Sequence, residues 1–194
     1  MILFYKADLL AALATTSTDT TRPNLMQILL ERKEDCTRLV ATDGHRLHIV
    51  EVPGEHKAAD PVMLNSDAVR RVCKAAKKAD RITCNVYGAA KIKLRLDNGE
   101  VFDAASKHRA KAYPDYRQIF TGGGSVAEIA VSAGYLREAS THCSSVAGAR
   151  PRDNLSPAVM SFEGPLRAFK IEGAKHPDTG TWLTCILMPQ RLAA

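Results

Sequence analysis

One unit recurs three times along this chain, at intervals of about 60 to 67 residues, and it restricts the possible folds more than any other feature. Each copy opens on a short apolar strand, a polar cap and a short amphipathic helix. The three openings read ILFYKADLLAALATT, PVMLNSDAVRRVCKAAKK and EIAVSAGYLREASTHCSSV. Three strand-like runs follow each opening. After the first come LMQILLE, RLVATD and RLHIVEV; after the second, RITCNV, KIKLRL and EVFDAA; after the third, PAVMSFE, LRAFKI and TWLTCILM. The unit is thus one strand, one helix and three strands, which predicts an α+β fold of three β-α-β-β-β repeats.

The chain has 194 residues, 45% of them hydrophobic and 25% charged, enough for one or two domains with a real core. No apolar run approaches the ~20 residues of a membrane span. The opening MILFYKADLL lacks a basic n-region and a small-residue cleavage site, so a cytoplasmic protein is expected. The five cysteines, Cys36, Cys73, Cys84, Cys143 and Cys185, are scattered, with no CxxC and no zinc-like spacing. Cys73, Cys84 and Cys185 sit in apolar patterns and read as buried, reduced thiols. No metal or other cofactor is expected.

The net charge of +6 is unevenly placed. Between Ser66 and Arg95 nine Lys/Arg stand against two Asp, so this stretch carries the whole excess. In the middle helix Val69, Val72, Cys73 and Ala76 form an apolar stripe, with Asn65 or Ser66 as cap and Asp67 at the positive end. Arg70, Arg71, Lys74, Lys77 and Lys78 fall off that stripe. A rigid helix with such a face can lie across phosphates without reading bases. The same residues also serve to keep a helix soluble, and the charge pattern alone leaves both readings open.

Gly122-Gly123-Gly124, flanked by Thr121 and Ser125, marks a linker between the second and third repeats. It lacks the lysine and the serine or threonine that would complete a phosphate-binding loop. In ATDGHRLHIV, residues 41–50, Asp43-Gly44 between apolar runs signals a β-hairpin. Whether His45 and Arg46 beyond that turn form a working surface is not decided locally. Catalysis is disfavoured. His142 and Cys143 are neighbours on a helix, so their side chains diverge, and Asp43 and His45 have no third partner. His48, His56, His108 and His176 stand singly in strands or loops.

Several segments, in order, resemble the bacterial replicative sliding clamp, the beta subunit of DNA polymerase III. They are TRPNLMQILLE (21–31), LVATDGHRL (39–47), YPDYRQI (113–119), LSPAVMSF (155–162) and ILMPQRL (186–192). The resemblance implies a DNA-clamp (processivity) fold with helices on one face of antiparallel sheets. It also implies that this chain is shortened. A usual clamp subunit has three domains of two repeats each. Residues 1–120 resemble the complete middle domain, 121–125 a glycine linker, and 126–194 the second half of the last domain.

In that family the hairpin, the PDY segment and the C-terminal tail converge on a hydrophobic groove. Polymerases, the clamp loader and repair proteins insert short linear peptides there. The resemblance carries this groove onto Leu25, Thr42, Gly44, His45, Arg46, Leu47, Pro114, Gln118, Ile119, Leu155, Pro157, Leu187, Met188, Pro189, Gln190, Arg191 and Leu192. Leu25, Leu47, Ile119 and Met188 would offer apolar pockets, and His45, Arg46 and Arg191 donors. Gln190 stands where the family often has methionine. Family geometry also turns the helices toward duplex DNA, which makes Arg22, Arg70, Arg71, Lys74, Lys77, Lys78 and Arg137 the expected sequence-independent contacts.

The third repeat is expected to have no partner within the chain, which would leave its sheet edge or helix face exposed and call for association. Two chains pairing their third repeats would supply six repeats, and four chains the twelve of a complete clamp. A homotetrameric ring is therefore expected, serving as a non-enzymatic processivity clamp. The alternative is a clamp-like adaptor or decoy that keeps the groove and never closes on DNA.

Overall fold

The computed structural model describes residues 1–54, 59–77, 81–120, 131–148, 158–161 and 168–189. The glycine linker at 121–125 and most of the strand expected to open the third repeat lie outside them.

The first repeat comprises β1 (Ile2–Tyr5), α1 (Lys6–Leu13), β2 (Gln27–Arg32), β3 (Cys36–Thr42) and β4 (Arg46–Pro53). The second comprises β5 (Ala59–Asn65), α2 (Ser66–Ala75), β6 (Arg81–Val86), β7 (Ile92–Leu96) and β8 (Val101–Asp103). The third contributes α3 (Ala133–Val146), β9 (Ala158–Ser161), β10 (Phe169–Gly173) and β11 (Trp182–Leu187). Caps set the helix starts. The Asp8 carboxylate accepts the Tyr5 N–H (2.8 Å), Asn65 accepts the Ala68 N–H (2.9 Å), and the Ser132 hydroxyl accepts the Tyr135 N–H (3.4 Å). Of the two expected caps on the middle helix, Asn65 does the work. Each satisfies one N–H that the helix itself leaves unpaired.

The strands form two antiparallel sheets, ordered β1-β6-β7-β8 and β5-β2-β3-β4-β11-β10-β9. The first two repeats exchange their leading strands: β1 pairs with β6, and β5 pairs with β2. Each repeat therefore finishes the other's sheet. The helices pack on one side, with α1 against both α2 and α3. The main core lies between this helical layer and the two sheets, and includes Phe4, Leu9, Ile28, Leu39, Leu64, Val69, Leu94, Ile171 and Leu183, all essentially inaccessible.

One expectation is corrected. The third repeat does have a partner within the chain: β11 pairs with β4 over six residues, from Trp182 opposite Glu51 to Leu187 opposite Arg46. The four strands β5-β2-β3-β4 thus continue through β11 into the third repeat. Only contacts far apart in sequence create this seam, so local periodicity could not reveal it. All five cysteines are buried and unbridged, although Cys143 and Cys185 bring their sulfurs to 3.8 Å where α3 crosses β11. Among the described residues no helix is long and apolar enough to cross a membrane.

Candidate functional site

Side chains of the 42–47 hairpin build its turn. Gly44 takes φ +95°, which other residues rarely adopt, and a Cβ there would also sit 3.3 Å from Arg22 Nη1. Asp43 Oδ1 accepts the N–H groups of His45 (2.9 Å) and Arg46 (3.1 Å). The Thr42 hydroxyl donates to the Arg46 carbonyl (2.7 Å) and accepts the Gly44 N–H (3.0 Å). Thr42 and Asp43 hold the turn, and His45 stands exposed at its tip.

Register across the seam sorts the neighbouring residues by face. Leu47 lies opposite Ile186, and Arg46 opposite Leu187. Cross-strand partners share a face. Leu47 and Ile186 therefore point away from the helices, while Leu187 is part of the main core. Met188 lies just beyond, 41% exposed, and its N–H donates to the His45 carbonyl (3.0 Å). This bond pins the end of β11 to the hairpin tip.

A strap crosses the same outer face. Two short 3-10 turns, Ala110–Ala112 and Tyr116–Phe120, carry Tyr113 and Tyr116 over Leu29, Val40, Leu47, Ile49, Met63 and Ile186. The Tyr113 hydroxyl donates to the Val40 carbonyl (3.3 Å). Buried Glu31 accepts from the Tyr116 hydroxyl (2.6 Å) and from Arg117 Nη2 (2.5 Å). Burial, reinforced by that carboxylate, pushes the Tyr116 hydroxyl pKa well up, so it stays a donor. Pro114 and Gln118 are exposed on the strap, and Ile119 falls in its second turn. Asn24 donates to the Ala112 carbonyl (3.2 Å), tying in the loop that carries buried Leu25. The strap thus covers Leu47 and Ile186, expected apolar pocket Leu47 included, and of this apolar row only Met188 is exposed between the strap and the hairpin tip.

Arg46, expected as a donor for a peptide, is already committed elsewhere. Its guanidinium pairs with Asp43 (2.9 Å) and Glu138, donates to the Ala14 carbonyl (3.0 Å), and lies 4.4 Å over the Tyr135 ring. It joins the hairpin to α1 and α3. Below it, His48 is fully buried, its Nδ1 2.7 Å from the Ala11 carbonyl and its ring edge-on to His142. A carbonyl only accepts, so the ring proton belongs on Nδ1. Burial lowers the His48 pKa to about 4 and leaves the ring neutral near pH 7.

Around the other side of the hairpin lies a cleft of about 560 Å³, lined by the 16–19 loop, Arg22, Asp43, His45, Arg46 and Arg70. It places His45, expected in the peptide groove, with Arg22 and Arg70, expected to contact DNA. On α2, Ala68, Val69, Val72 and Cys73 are buried while Arg70, Arg71 and Lys74 are exposed, and Lys77 is exposed just past its end. Arg137 is exposed on α3, beside Glu138. The central helix α1 carries a single lysine, Lys6, whose ammonium donates to the Ala76 carbonyl beyond the end of α2 (2.6 Å). The basic stretch 66–95 is split between two surfaces. Arg81, Lys93 and Arg95 alternate with buried Ile82, Ile92 and Leu94, so they lie on the sheet's far side from the helices.

No family model matches the sequence, and no curated protein matches it. Solved structures do. The DNA polymerase III beta subunit of Thermotoga maritima aligns over 99% of this chain and 65% of its own, at 18% identity and TM-score 0.60. The C. crescentus beta sliding clamp aligns over 98% and 65%, at 18% identity and TM-score 0.61. The beta subunit from Streptococcus pyogenes aligns over 98% and 66%, at 14% identity and TM-score 0.60. The fold is that of a sliding clamp. The chain spans about 65% of the length of these clamps.

On this fold, the expected residues Thr42, Gly44, His45, Leu47, Pro114 and Met188 gather around one hairpin, and Leu187 sits on the opposite face of its strand. Pro189 follows Met188 and is half-buried. Leu155, Pro157, Gln190, Arg191, Leu192 and Lys78 lie outside the described residues. Sequence reasoning missed Ile186 and Glu31. Alternation from exposed Met188 would have found Ile186. No local signal marks Glu31, which reads as an ordinary polar position in a strand. Among the described residues, no cluster of three His, Cys, Asp or Glu side chains is placed to hold a metal.

Proposed function

We propose that this chain is a shortened sliding clamp, a non-catalytic tether that encircles duplex DNA as a ring of four chains. In this reading residues 1–120 act as a complete clamp domain and 126–194 as a half domain. The observation that carries the proposal is the β4–β11 seam. It sets the 42–47 hairpin, the strap and exposed Met188 side by side, which supports a short linear peptide docking along their junction. Exposed Met188 supplies the apolar contact over the buried Leu47 and Ile186, and exposed His45 supplies a donor at the rim.

The helical layer supplies the second surface. Arg70, Arg71 and Lys74 project from α2, with Lys77 just past its end, Arg22 across the cleft from Arg70 and Arg137 on α3, and would meet phosphates without reading bases. Polymerases, a clamp loader or repair proteins are the peptide-bearing partners in this reading.

The test is retention on DNA circles. Labelled protein incubated with closed circular duplex and the host's loader is expected to stay bound through moderate salt, and to run off when one cut linearises the circle. Equal loss from circular and linear DNA, with a peptide from the host polymerase still bound, would leave the groove and remove the ring.

A further inference from the structure

Where α3 crosses β11, two cysteines 42 positions apart in sequence meet inside the third repeat. Cys143 on α3 brings its Sγ to 3.8 Å from the Sγ of Cys185 on β11. Small residues permit the approach. A Cβ on Gly173 would lie 2.9 Å from the Cys143 Cβ and 3.1 Å from its Cα, so the glycine lets α3 settle onto the end of β10. Ala139, one turn back on α3, is inaccessible, and its carbonyl oxygen lies 4.0 Å from the Cys185 Sγ. Cys185 is fixed from both sides, opposite Ile171 on β10 and opposite His48 on β4. Both cysteines are buried, Cys185 completely. Cys36, Cys73 and Cys84 are buried too, but among the described residues none of them has a sulfur for a neighbour.

We infer that Cys143 and Cys185 are a peroxide-sensitive pair that closes into a reversible disulfide and staples α3 to the seam strand β11. A disulfide holds its sulfurs about 2 Å apart, so the two thiols start in contact and close by about another 2 Å. Hydrogen peroxide is the oxidant. The Cys143 thiolate attacks one peroxide oxygen, the O–O bond breaks, and the departing hydroxide takes up the thiol proton as water. Cys143 is then a sulfenic acid. The Cys185 sulfur attacks it, the S–S bond forms, the S–O bond breaks, and the hydroxyl leaves with the Cys185 proton as a second water. Two thiols and one peroxide thus give one disulfide and two waters, the sulfurs losing the two electrons that the peroxide oxygens gain. A second thiol at 3.8 Å makes the disulfide the faster outcome than further oxygen addition at Cys143. Burial keeps the pair reduced until local opening of α3 admits the oxidant. The bond then restricts the unfolded chain and so favours the folded repeat. It also braces β11, whose far end Met188 is pinned to the His45 carbonyl. The pair is independent of the ring, and it works whether or not one closes.

The experiment treats the reduced full chain with hydrogen peroxide, quenches it with catalase and alkylates it in urea. Of the five cysteines, the pair should now escape alkylation and the other three react. The intact mass should fall by two hydrogens before alkylation, and peptide mapping should give one pair joined through Cys143 and Cys185. The urea midpoint read from Trp182 fluorescence is expected to rise on oxidation and to return with dithiothreitol. That return separates the disulfide from methionine sulfoxide, which dithiothreitol leaves in place. Cys73→Ala, at a cysteine outside the pair, should keep the bond and the shift, and Cys143→Ala should lose both. If Cys143→Ala does not fold, the wild-type mass and midpoints decide alone. Five alkylated cysteines after treatment would overturn the inference. So would oxygen added to Cys143 with no bond to Cys185, a disulfide between two chains, or an oxidised chain whose midpoint stays with the reduced one.

Discussion

Two buried titratable side chains near α1 give this molecule opposing responses to pH. Asp8 caps α1 and is buried, and that burial raises its pKa from 3.8 to about 6. The folded state therefore holds the proton more tightly than the unfolded chain. The stability this confers is full below 3.8 and is lost as pH rises through 6. His48 behaves in the opposite sense, because burial lowers its pKa from 6.5 to about 4. Its contribution is full above 6.5 and is lost as pH falls toward 4. Over the shared window the two slopes largely cancel. Asp8→Asn keeps an oxygen for the Tyr5 N–H and removes the buried charge. It is expected to stabilise the protein at about pH 7.5 by about 1–2 kcal/mol. It should also unmask the histidine, with a loss of about 3 kcal/mol on going from pH 7 to pH 4. Urea unfolding of both proteins across that range is the measurement, and parallel pH profiles would refute the assignment.

At the scale of elements, α2 and the strap make separable claims. The exposed cations of α2 support the helix's solubility and, in the proposed ring, meet phosphates. Arg70→Gln, Arg71→Gln and Lys74→Gln together leave the buried stripe intact, so the melting temperature should hardly move. If each cation neutralises one phosphate, the slope of log K against log salt should become shallower by about 3. An unchanged slope would assign the helix a solvating role alone. For the strap, Glu31→Gln removes the negative charge held by Tyr116 and Arg117 while keeping the volume. A loss of about 2 kcal/mol is expected, since a hydrogen bond to a buried charged group is among the stronger ones. Peptide binding beside Met188 should weaken with it, because Tyr116 anchors the strap that covers Leu47 and Ile186.

The elements themselves were legible because apolar alternation and helical spacing are local, and three copies of one pattern reinforce each other. The site was legible only in part. Asp43-Gly44 announced its turn, since few residues accept φ +95°. The direction of Arg46 was not readable, because Glu138, Tyr135 and Ala14, which hold it, come from two helices distant in sequence. Alternation already puts Leu187 and Met188 on opposite faces, but only the register with β4 shows that the face of Leu187 is the one turned to the helices. Faces are fixed by strand pairing, and the sequence does not state which strands pair.

For the whole molecule, the β4–β11 seam decides whether the third repeat is an independent body. A glycine-rich stretch at 121–125 by itself suggests a unit that could unfold alone. A seven-stranded sheet with α3 packed on α1 argues for one cooperative structure. The chain's one tryptophan, Trp182, opens β11 opposite Glu51, with the Lys175 ammonium 4.8 Å from its ring centre. Its fluorescence therefore reports on the seam, while far-UV circular dichroism reports on all three repeats. The two signals are expected to melt together. Leu183, fully buried on β11, extends the test. Leu183→Ala opens a cavity in the shared core and should cost about 2–5 kcal/mol, lowering both transitions by the same amount. If the tryptophan signal instead melts first and alone in the variant, the third repeat peels away from the first. The groove between them would then be a contact that forms on assembly, not one built into the chain.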